Sequence, residues 1–120
     1  MQVAAAARRF LLALLARQPA ELAPLCGPSF SFDGRVEKGP DRIRARWAES
    51  LTGESGGDRL LDLAVAPAAE AQAKLGKPPR RIAPLLAPGT WVAVADVSGR
   101  AVVVTFARQG SAWLATGIQD

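Results

Sequence analysis

The chain has 120 residues, of which 49% are hydrophobic and 22% are charged, and its formal net charge is +4. This composition predicts one globular domain spanning residues 1–120, and the even spread of the cations along the chain argues against nucleic-acid binding. There is no histidine, no tyrosine and one cysteine. The lack of histidine excludes a serine–histidine triad, and a single cysteine excludes an intramolecular disulfide. No recognisable metal-ligand spacing remains, so we expect neither metal nor cofactor.

The chain opens with an alanine- and leucine-rich stretch that predicts a helix over Val3–Arg17. Its core-facing positions are occupied by apolar side chains at helical spacing: Ala7, Phe10, Leu11 and Leu14. The apolar run is too short to span a bilayer and lacks a convincing cleavage site, so we expect a cytoplasmic protein without a membrane partner.

A second short helix is predicted over Pro19–Leu25, stopped by Gly27-Pro28. Cys26 follows directly, and a cysteine at this place is a candidate nucleophile. The chain offers no histidine to activate a thiol. A small buried apolar residue is therefore the favoured interpretation of Cys26.

The stretch from Phe30 to Trp47 organises the chain. It begins as a short alternating strand, turns at Asp33-Gly34 and enters a helix at Gly39-Pro40, where proline suits the first helical position. A buried stripe at four-residue spacing follows, made of Ile43, Trp47 and Leu51. Arg44 and Arg46 on the same helix favour a solvent-exposed charged face, with an anionic ligand group as the alternative.

After a glycine-rich loop over Thr52–Asp58, alternation over Arg59–Ala66 predicts a half-buried strand. Leu61, Leu63 and Val65 need the core, so this alternation places Asp62 on the opposite face. Were Asp62 to face a pocket instead, burial would make it a candidate acid or base.

The segment 67–88 differs from the elements around it in combining a short helix, a basic connection and an apolar stretch. A helix over Ala68–Leu75 is supported by a Glu70–Lys74 pair, and a basic, proline-rich connection leads to the apolar stretch Ile82–Leu86. Apolar residues on a short insertion need a surface to cover, so we expect this piece to act as a lid or docking element over a pocket mouth or a sheet edge.

Three valine- and aromatic-rich segments predict an antiparallel meander at the end of the chain: Trp91–Val97, Ala101–Ala107 and Ala112–Ile118. Short glycine-containing turns separate them. Helices followed by such a meander predict an α+β domain with helices on one face of the sheet.

This order of elements, with the Phe-Ser-Phe-Asp-Gly strand end, the Gly39-Pro40-Asp41…Ile43…Trp47 helix and the closing Trp113-Leu114-Ala115-Thr116-Gly117-Ile118, resembles the nuclear transport factor two-like superfamily. That group includes ketosteroid isomerases and the SnoaL-like polyketide cyclases. The resemblance covers nearly the whole chain, with residues 67–88 as an apparent insertion. It implies a cone, in which a curved antiparallel sheet wraps around N-terminal helices, encloses an apolar pocket and often dimerises through the sheet.

The same resemblance assigns site residues. It places Asp33 where ketosteroid isomerases keep their proton-abstracting aspartate. Asp62, if it faces the pocket, is a tentative second acid–base residue on the strength of its own strand position. Phe10 stands where that family has its oxyanion tyrosine, and Val104 or a neighbour stands where it has a protonated aspartate. The implied pocket is lined by Phe10, Leu14, Phe32, Trp47 and Val104.

Two main functions remain open at this point, and a third would make the basic insertion a contact for an acidic partner. Losing one oxyanion donor typically costs about 10²–10³ in rate, so the absence of both donors favours a non-catalytic module. Such a module would bind a small apolar molecule or a protein partner and form a homodimer through the sheet. The alternative is a lyase, isomerase or cyclase with Asp33 as general base on a small carbonyl or polyketide-like substrate. The Asp-Gly turn alone is also a sufficient reason for Asp33.

Overall fold

The computed structural model describes residues 2–51, 59–75 and 83–119. The helices are α1 (Gln2–Leu15), α2 (Pro19–Leu22), α3 (Pro40–Ser50) and α4 (Ala68–Leu75), with short 3-10 turns at Ala23–Leu25 and Ala83–Leu85. The strands are β1 (Cys26–Phe32), β2 (Arg35–Lys38), β3 (Leu60–Pro67), β4 (Trp91–Val97), β5 (Arg100–Gln109) and β6 (Ala112–Gln119). The predicted loop 52–58 and the basic connection 77–81 lie outside the described residues.

The strands form one curved six-stranded sheet in the order β2-β1-β6-β5-β4-β3. The predicted C-terminal meander is confirmed, because β4, β5 and β6 pair antiparallel in sequence order. The pair β1–β6 is parallel and joins the N-terminal hairpin to the end of the chain. The α+β fold class is therefore confirmed, with one parallel pair that the sequence did not indicate.

Helix α1 packs its apolar stripe on what we call the inner face of the sheet. Ala7, Phe10 and Leu11 are fully buried. The Phe10 ring lies 6.1 Å from the Phe106 ring of β5, which identifies the inner face, and 5.9 Å from the Trp47 ring of α3. One aromatic cluster thus joins the two main helices to the sheet.

The predicted turn and helix start between β1 and α3 are confirmed. Asp33 (φ 56°) and Gly34 (φ 97°) both have positive φ, as the tight hairpin turn between Phe32 and Arg35 requires. Gly39 (φ 90°) then precedes Pro40 at the first position of α3. The short strand β2, which has four residues, and Pro40 at the start of α3 together direct the helix back toward β1.

The prediction that Leu61 is a core residue is wrong. In β3, Leu60 pairs with Val97 and Asp62 pairs with Asp96, so Leu61 is an extra residue in a β-bulge. Leu60 takes the inward place, and Leu61 is 59% exposed. Beyond the bulge the predicted alternation holds, with Leu63 and Val65 packed against the core.

Part of the 67–88 insertion covers the outer face of the sheet, opposite the helices. Thr105, Gly117 and Ser31 form one register row across β5, β6 and β1 on that face, and all three are buried. Leu85 lies over this row, so close to Gly117 that an added β-carbon there would collide with its Cδ1. Leu85, which belongs to the described part of the insertion, therefore rests on the outer face of the sheet.

Candidate functional site

A cavity of about 420 Å³ opens at the end of the sheet where α1 and α3 end. We call it the mouth cavity. Its apolar wall includes Leu14, Leu15, Phe32, Trp47, Val102 and Ile118, and its polar lining is Arg17, Asp33, Arg46, Ser50, Arg100 and Gln119. A volume in this range is typical of small-molecule sites, which span about 300–1,000 Å³.

A larger depression of about 780 Å³ lies between α1 and α2, around Leu12 and Leu25. It is a more open surface groove, and none of the residues proposed from the sequence as site residues lines it. Concave sites that bury most of a ligand are favoured over open grooves. The mouth cavity is therefore the candidate functional site.

The mouth cavity brings together part of the set proposed from the sequence. Leu14, Phe32, Asp33 and Trp47 line it. Phe10 and Val104 are absent from its lining and lie fully buried in the core, so for these two the pocket assignment is corrected. Both side chains belong to the packed core between the helices and the sheet, and the mouth cavity lies at the open end of that core.

Asp62 lies away from the cavity. It pairs with Asp96 across β3 and β4, on the outer face, and is exposed. Its Oδ1 accepts a hydrogen bond from the backbone N–H of Leu63 at 2.9 Å. The structure thus corrects the tentative acid–base role, because Asp62 is solvated on the wrong side of the sheet.

Asp33 stands on the rim of the cavity and is exposed. Its backbone N–H donates to the carbonyl oxygen of Ile118 at 2.9 Å, which continues the β1–β6 pairing into the turn. Asp33 thereby occupies a turn position that aspartate tolerates well and also borders the cavity. The turn and site interpretations of this residue are compatible in space.

Arg17 enters the cavity wall from the end of α1. It holds the left-handed backbone position (φ 56°) that glycine usually fills at a helix end, with the N–H of Gln18 bonded to the Ala13 carbonyl oxygen. Its Nη1 donates to the carbonyl oxygen of Leu51 at 3.3 Å. This bond ties the end of α1 to the end of α3 across the cavity.

Arg46 is the cavity residue that sequence reasoning left undecided. Its side chain is 23% exposed, and its Nη1 lies 3.9 Å from Oε1 of the exposed Glu49. Its Nε is buried and makes no hydrogen bond within the described part of the chain. Arg44 is exposed, yet the spacing gives no signal that separates it from Arg46, because each lies three residues from a buried member of the stripe.

Cys26 lies beneath the site, against Trp47. It is buried, and its thiol donates to the carbonyl oxygen of Leu22 (Sγ to O, 3.4 Å). Burial raises the pKa of the Cys26 thiol from 9.0 to about 11, and the neighbouring Trp47 side chain opposes part of that rise. The thiol stays protonated at neutral pH, so the predicted role as a buried apolar residue is confirmed.

This raised pKa predicts a stability loss at alkaline pH. The unfolded thiol ionises near pH 9 and the folded one near pH 11, so the unfolded state releases its proton first and the free energy of unfolding falls between these values. We expect a loss of about 2 kcal/mol by pH 11, since one pKa unit corresponds to about 1.4 kcal/mol. Urea unfolding from pH 8 to 11 measures it.

Cys26→Ala is the control, because it keeps every other titrating group. The chain has no tyrosine, so the difference between the two pH profiles isolates the thiol from lysine titration. Parallel profiles for the two proteins would contradict the assigned burial of the thiol.

The described side chains offer little for a metal. No group of three or more cysteine, aspartate or glutamate side chains with metal-binding geometry occurs in the described ranges. The polar lining instead combines three guanidinium groups with one carboxylate. Nor is any helix in these ranges long and apolar enough to cross a membrane.

Comparison with known proteins gives structural likeness only. No family model matches the chain, and no curated protein does. A Caulobacter vibrioides protein with a cystatin-like fold matches with TM-score 0.65 and 14% identity, covering 98% of this chain and 84% of that one.

Two further structures carry functional names. A candidate dehydratase of the NTF2-like family from Streptomyces avermitilis matches with TM-score 0.57 and 16% identity, covering 98% of this chain and 90% of that one. A candidate calcium/calmodulin-dependent protein kinase type II association domain from Thiobacillus denitrificans matches with TM-score 0.57 and 15% identity, covering 96% and 90%. Identities this low speak for the fold and leave the activity open. The chain has the nuclear transport factor two-like, or cystatin-like, fold.

Proposed function

We propose that the chain is a single non-catalytic module that holds a small apolar molecule in the mouth cavity and assembles as a homodimer through the outer face of its sheet. The observation that carries the proposal is the mouth cavity itself, a space of about 420 Å³ with aliphatic and aromatic side chains at eight of its fourteen lining positions. Burying the apolar surface of a ligand against these side chains is favourable, and aliphatic and aromatic side chains do not act as catalytic acids or bases.

The chemistry around Asp33 supports a binding role over a catalytic one. A base that removes a proton next to a carbonyl needs donors placed where negative charge develops. By the resemblance, Phe10 and Val104 or a neighbour stand where such donors would be, and both Phe10 and Val104 are apolar and fully buried. The chain also has no tyrosine or histidine to replace them.

The outer face supports a dimer. Ala64, Val94 and Val103 form a register row on that face across β3, β4 and β5. They are exposed or half-buried, in contrast to the neighbouring row under Leu85. A row of apolar side chains is suited to an isologous contact, in which a second copy covers it with the same surface.

A second candidate is an enzyme with Asp33 as general base. Its support is the position of Asp33 on the rim of the cavity, together with the dehydratase name of one similar structure. Turnover of a small carbonyl substrate that disappears in Asp33→Asn would favour this candidate over the binding module.

Native mass spectrometry of protein purified gently from its source cells tests the main proposal. We expect a dimer that retains one discrete small-molecule adduct per chain. Ser50→Trp should lose the adduct and remain a dimer, because Ser50 lines the cavity and an indole there fills it.

Ala48→Trp is the matched control, since Ala48 is an exposed residue of the same helix outside the cavity lining. It should keep the adduct. An empty wild-type protein would contradict the ligand role, and a monomer or a stable complex with a different polypeptide would contradict the homodimer.

A further inference from the structure

We propose that a groove along helix α1 docks an acidic amphipathic helix of a different polypeptide. The groove lies outside the mouth cavity and shares no lining residue with it, so this inference goes beyond the proposed function. It follows from three features on this side of the molecule: two depressions that join, an exposed stripe on α1 and the charge beside that stripe.

Two neighbouring depressions form one continuous groove, which we call the α1 groove. The first, of about 780 Å³, lies between α1 and α2, and the second, of about 420 Å³, lies between α1 and the start of β6. They share Ala5, Arg9, Pro24 and Leu25 as lining residues. The α1 groove therefore extends from Leu12 past Ala5 to Trp113. An open groove of this extent suits a polypeptide laid along it better than a small molecule, which prefers an enclosed site.

The exposed stripe of α1 provides an apolar contact surface. Ala5 and Leu12 recur at helical spacing with Arg8 and Arg9 between them, and all four residues are exposed. Leu12 is 48% exposed, whereas its neighbour Leu11 is fully buried. The stripe rises about 10 Å from Ala5 to Leu12, at about 1.5 Å for each helical residue. This is the length of an i, i+3, i+4, i+7 set of anchors on a partner helix.

The charge beside the stripe selects an acidic partner. Helix α1 has no acidic residue, and neither Arg8 nor Arg9 forms an ion pair or a hydrogen bond within the described part of the chain. Glu21 on α2 is the one carboxylate among the described lining residues, and the side-chain nitrogen of Gln18 is placed to donate to its Oε1 at 2.9 Å. The α1 side of the groove is therefore basic, and carboxylates that flank the apolar anchors of a partner would complement it.

The helices of this chain do not have the chemistry of the occupant. Helix α1 carries two arginines and no carboxylate, α3 carries three arginines and two carboxylates, and α4 carries one residue of each sign. A second copy therefore offers no acidic helix of two turns or more within the described residues. A contact about two turns long is small, and interfaces below about 1,200 Å² are typical of transient complexes. Such a partner dissociates on dilution, so its docking is compatible with the proposed homodimer.

Fluorescence anisotropy with two labelled peptides tests the inference. Both peptides are about 18 residues long, because shorter isolated helices are marginal in water. Both carry leucine at the i, i+3, i+4 and i+7 positions in an alanine background, and the flanking positions are glutamate in one and glutamine in the other. We expect the glutamate peptide to bind about 3–30-fold more tightly, the range that two exposed ion pairs give. Added salt should reduce this preference.

Variants of the exposed stripe separate the charged from the apolar contribution. The double variant Arg8→Gln/Arg9→Gln should remove the preference and leave the affinity of the glutamine peptide unchanged. Leu12→Ala should lower the affinity of both peptides by at least about threefold, because apolar contact area is lost. Circular dichroism verifies that each variant is folded.

Matched controls remove the same kinds of side chain elsewhere. The double variant Arg42→Gln/Arg44→Gln changes two exposed arginines of α3, and Leu61→Ala changes the 59% exposed leucine of β3. None of these three residues lines the α1 groove. Both control proteins should bind the two peptides as the wild type does.

Several outcomes would overturn the docking site. They are equal affinities of the two peptides for the wild type, a preference that persists without Arg8 and Arg9, equal losses in Leu12→Ala and Leu61→Ala, and failure of both peptides to bind at millimolar concentration. Sedimentation with phosphatidylglycerol vesicles examines an anionic bilayer as the occupant. Vesicle binding that depends on Arg8 and Arg9, without binding of either peptide, would replace the helix by a membrane. None of these outcomes affects the mouth cavity, whose test is the retained small-molecule adduct.

Discussion

Replacing Phe10 with alanine is expected to lower the free energy of unfolding by about 3–5 kcal/mol, the range for removing a large aromatic side chain from a packed core. Phe10 is fully buried. Its ring lies 6.1 Å from Phe30, 5.9 Å from Trp47 and 6.1 Å from Phe106. Because these partners belong to β1, α3 and β5, the alanine leaves a void where the two main helices meet the sheet.

Urea unfolding followed by circular dichroism measures this loss, and the slope of the transition should stay unchanged. Leu12→Ala is the matched control, since Leu12 is on the same helix but 48% exposed, and it should cost less than about 1 kcal/mol. If Phe10→Ala does not fold, Phe10→Leu gives a smaller loss in the same direction. A loss below 1 kcal/mol in Phe10→Ala would contradict the packing of the aromatic cluster.

Local patterns were sufficient to predict most of the elements. Gly39-Pro40 and the four-residue spacing of Ile43 and Trp47 predict a helix with one buried stripe, and α3 has this form. Asp33-Gly34 predicts a tight turn, and both residues have positive φ. These features depend on neighbouring residues only, so the sequence carries them directly.

Features that depend on distant partners were not predictable in this way. Leu61 continues a perfect alternation, yet a bulge against β4 turns it outward. Nothing in either segment alone indicates that β1 runs parallel to β6. Both outcomes are set by register between strands, which a single strand does not encode.

The same division applies to the candidate site. Phe32, Asp33 and Trp47 line one cavity because all three lie on the β1–turn–α3 segment, and their role there stays a prediction. The resemblance put Phe10 and Val104 in the lining because they stand where ketosteroid isomerases have their two donors. Here both side chains are fully buried in the core, and the cavity lies toward the end of the sheet.

The packing on the outer face of the sheet requires glycine at position 117 because a side chain there would have no room. A β-carbon at Gly117 would collide with Cδ1 of Leu85 and lie 3.3 Å from both Ser31 Cβ and Thr105 Oγ1. Leu85 can move, since its contacting atom ends a flexible side chain. Ser31 and Thr105 are held in neighbouring strands, and Thr105 Oγ1 is also hydrogen-bonded to Thr116 Oγ1 at 2.7 Å.

Gly117→Ala is therefore expected to lower the free energy of unfolding by about 1–3 kcal/mol, as overpacking of a well-packed site does. Gly27→Ala is the matched control in β1, because a β-carbon there meets only ordinary contacts at 3.7 and 3.8 Å, and it should change stability by less than about 1 kcal/mol. Adding Leu85→Ala to Gly117→Ala should recover part of the loss, with a coupling of about 0.5–3 kcal/mol in a double-mutant cycle. Strictly additive losses would show that Leu85 does not rest on Gly117. The insertion would then leave the centre of the outer face open, which would enlarge the surface available to a second copy of the chain.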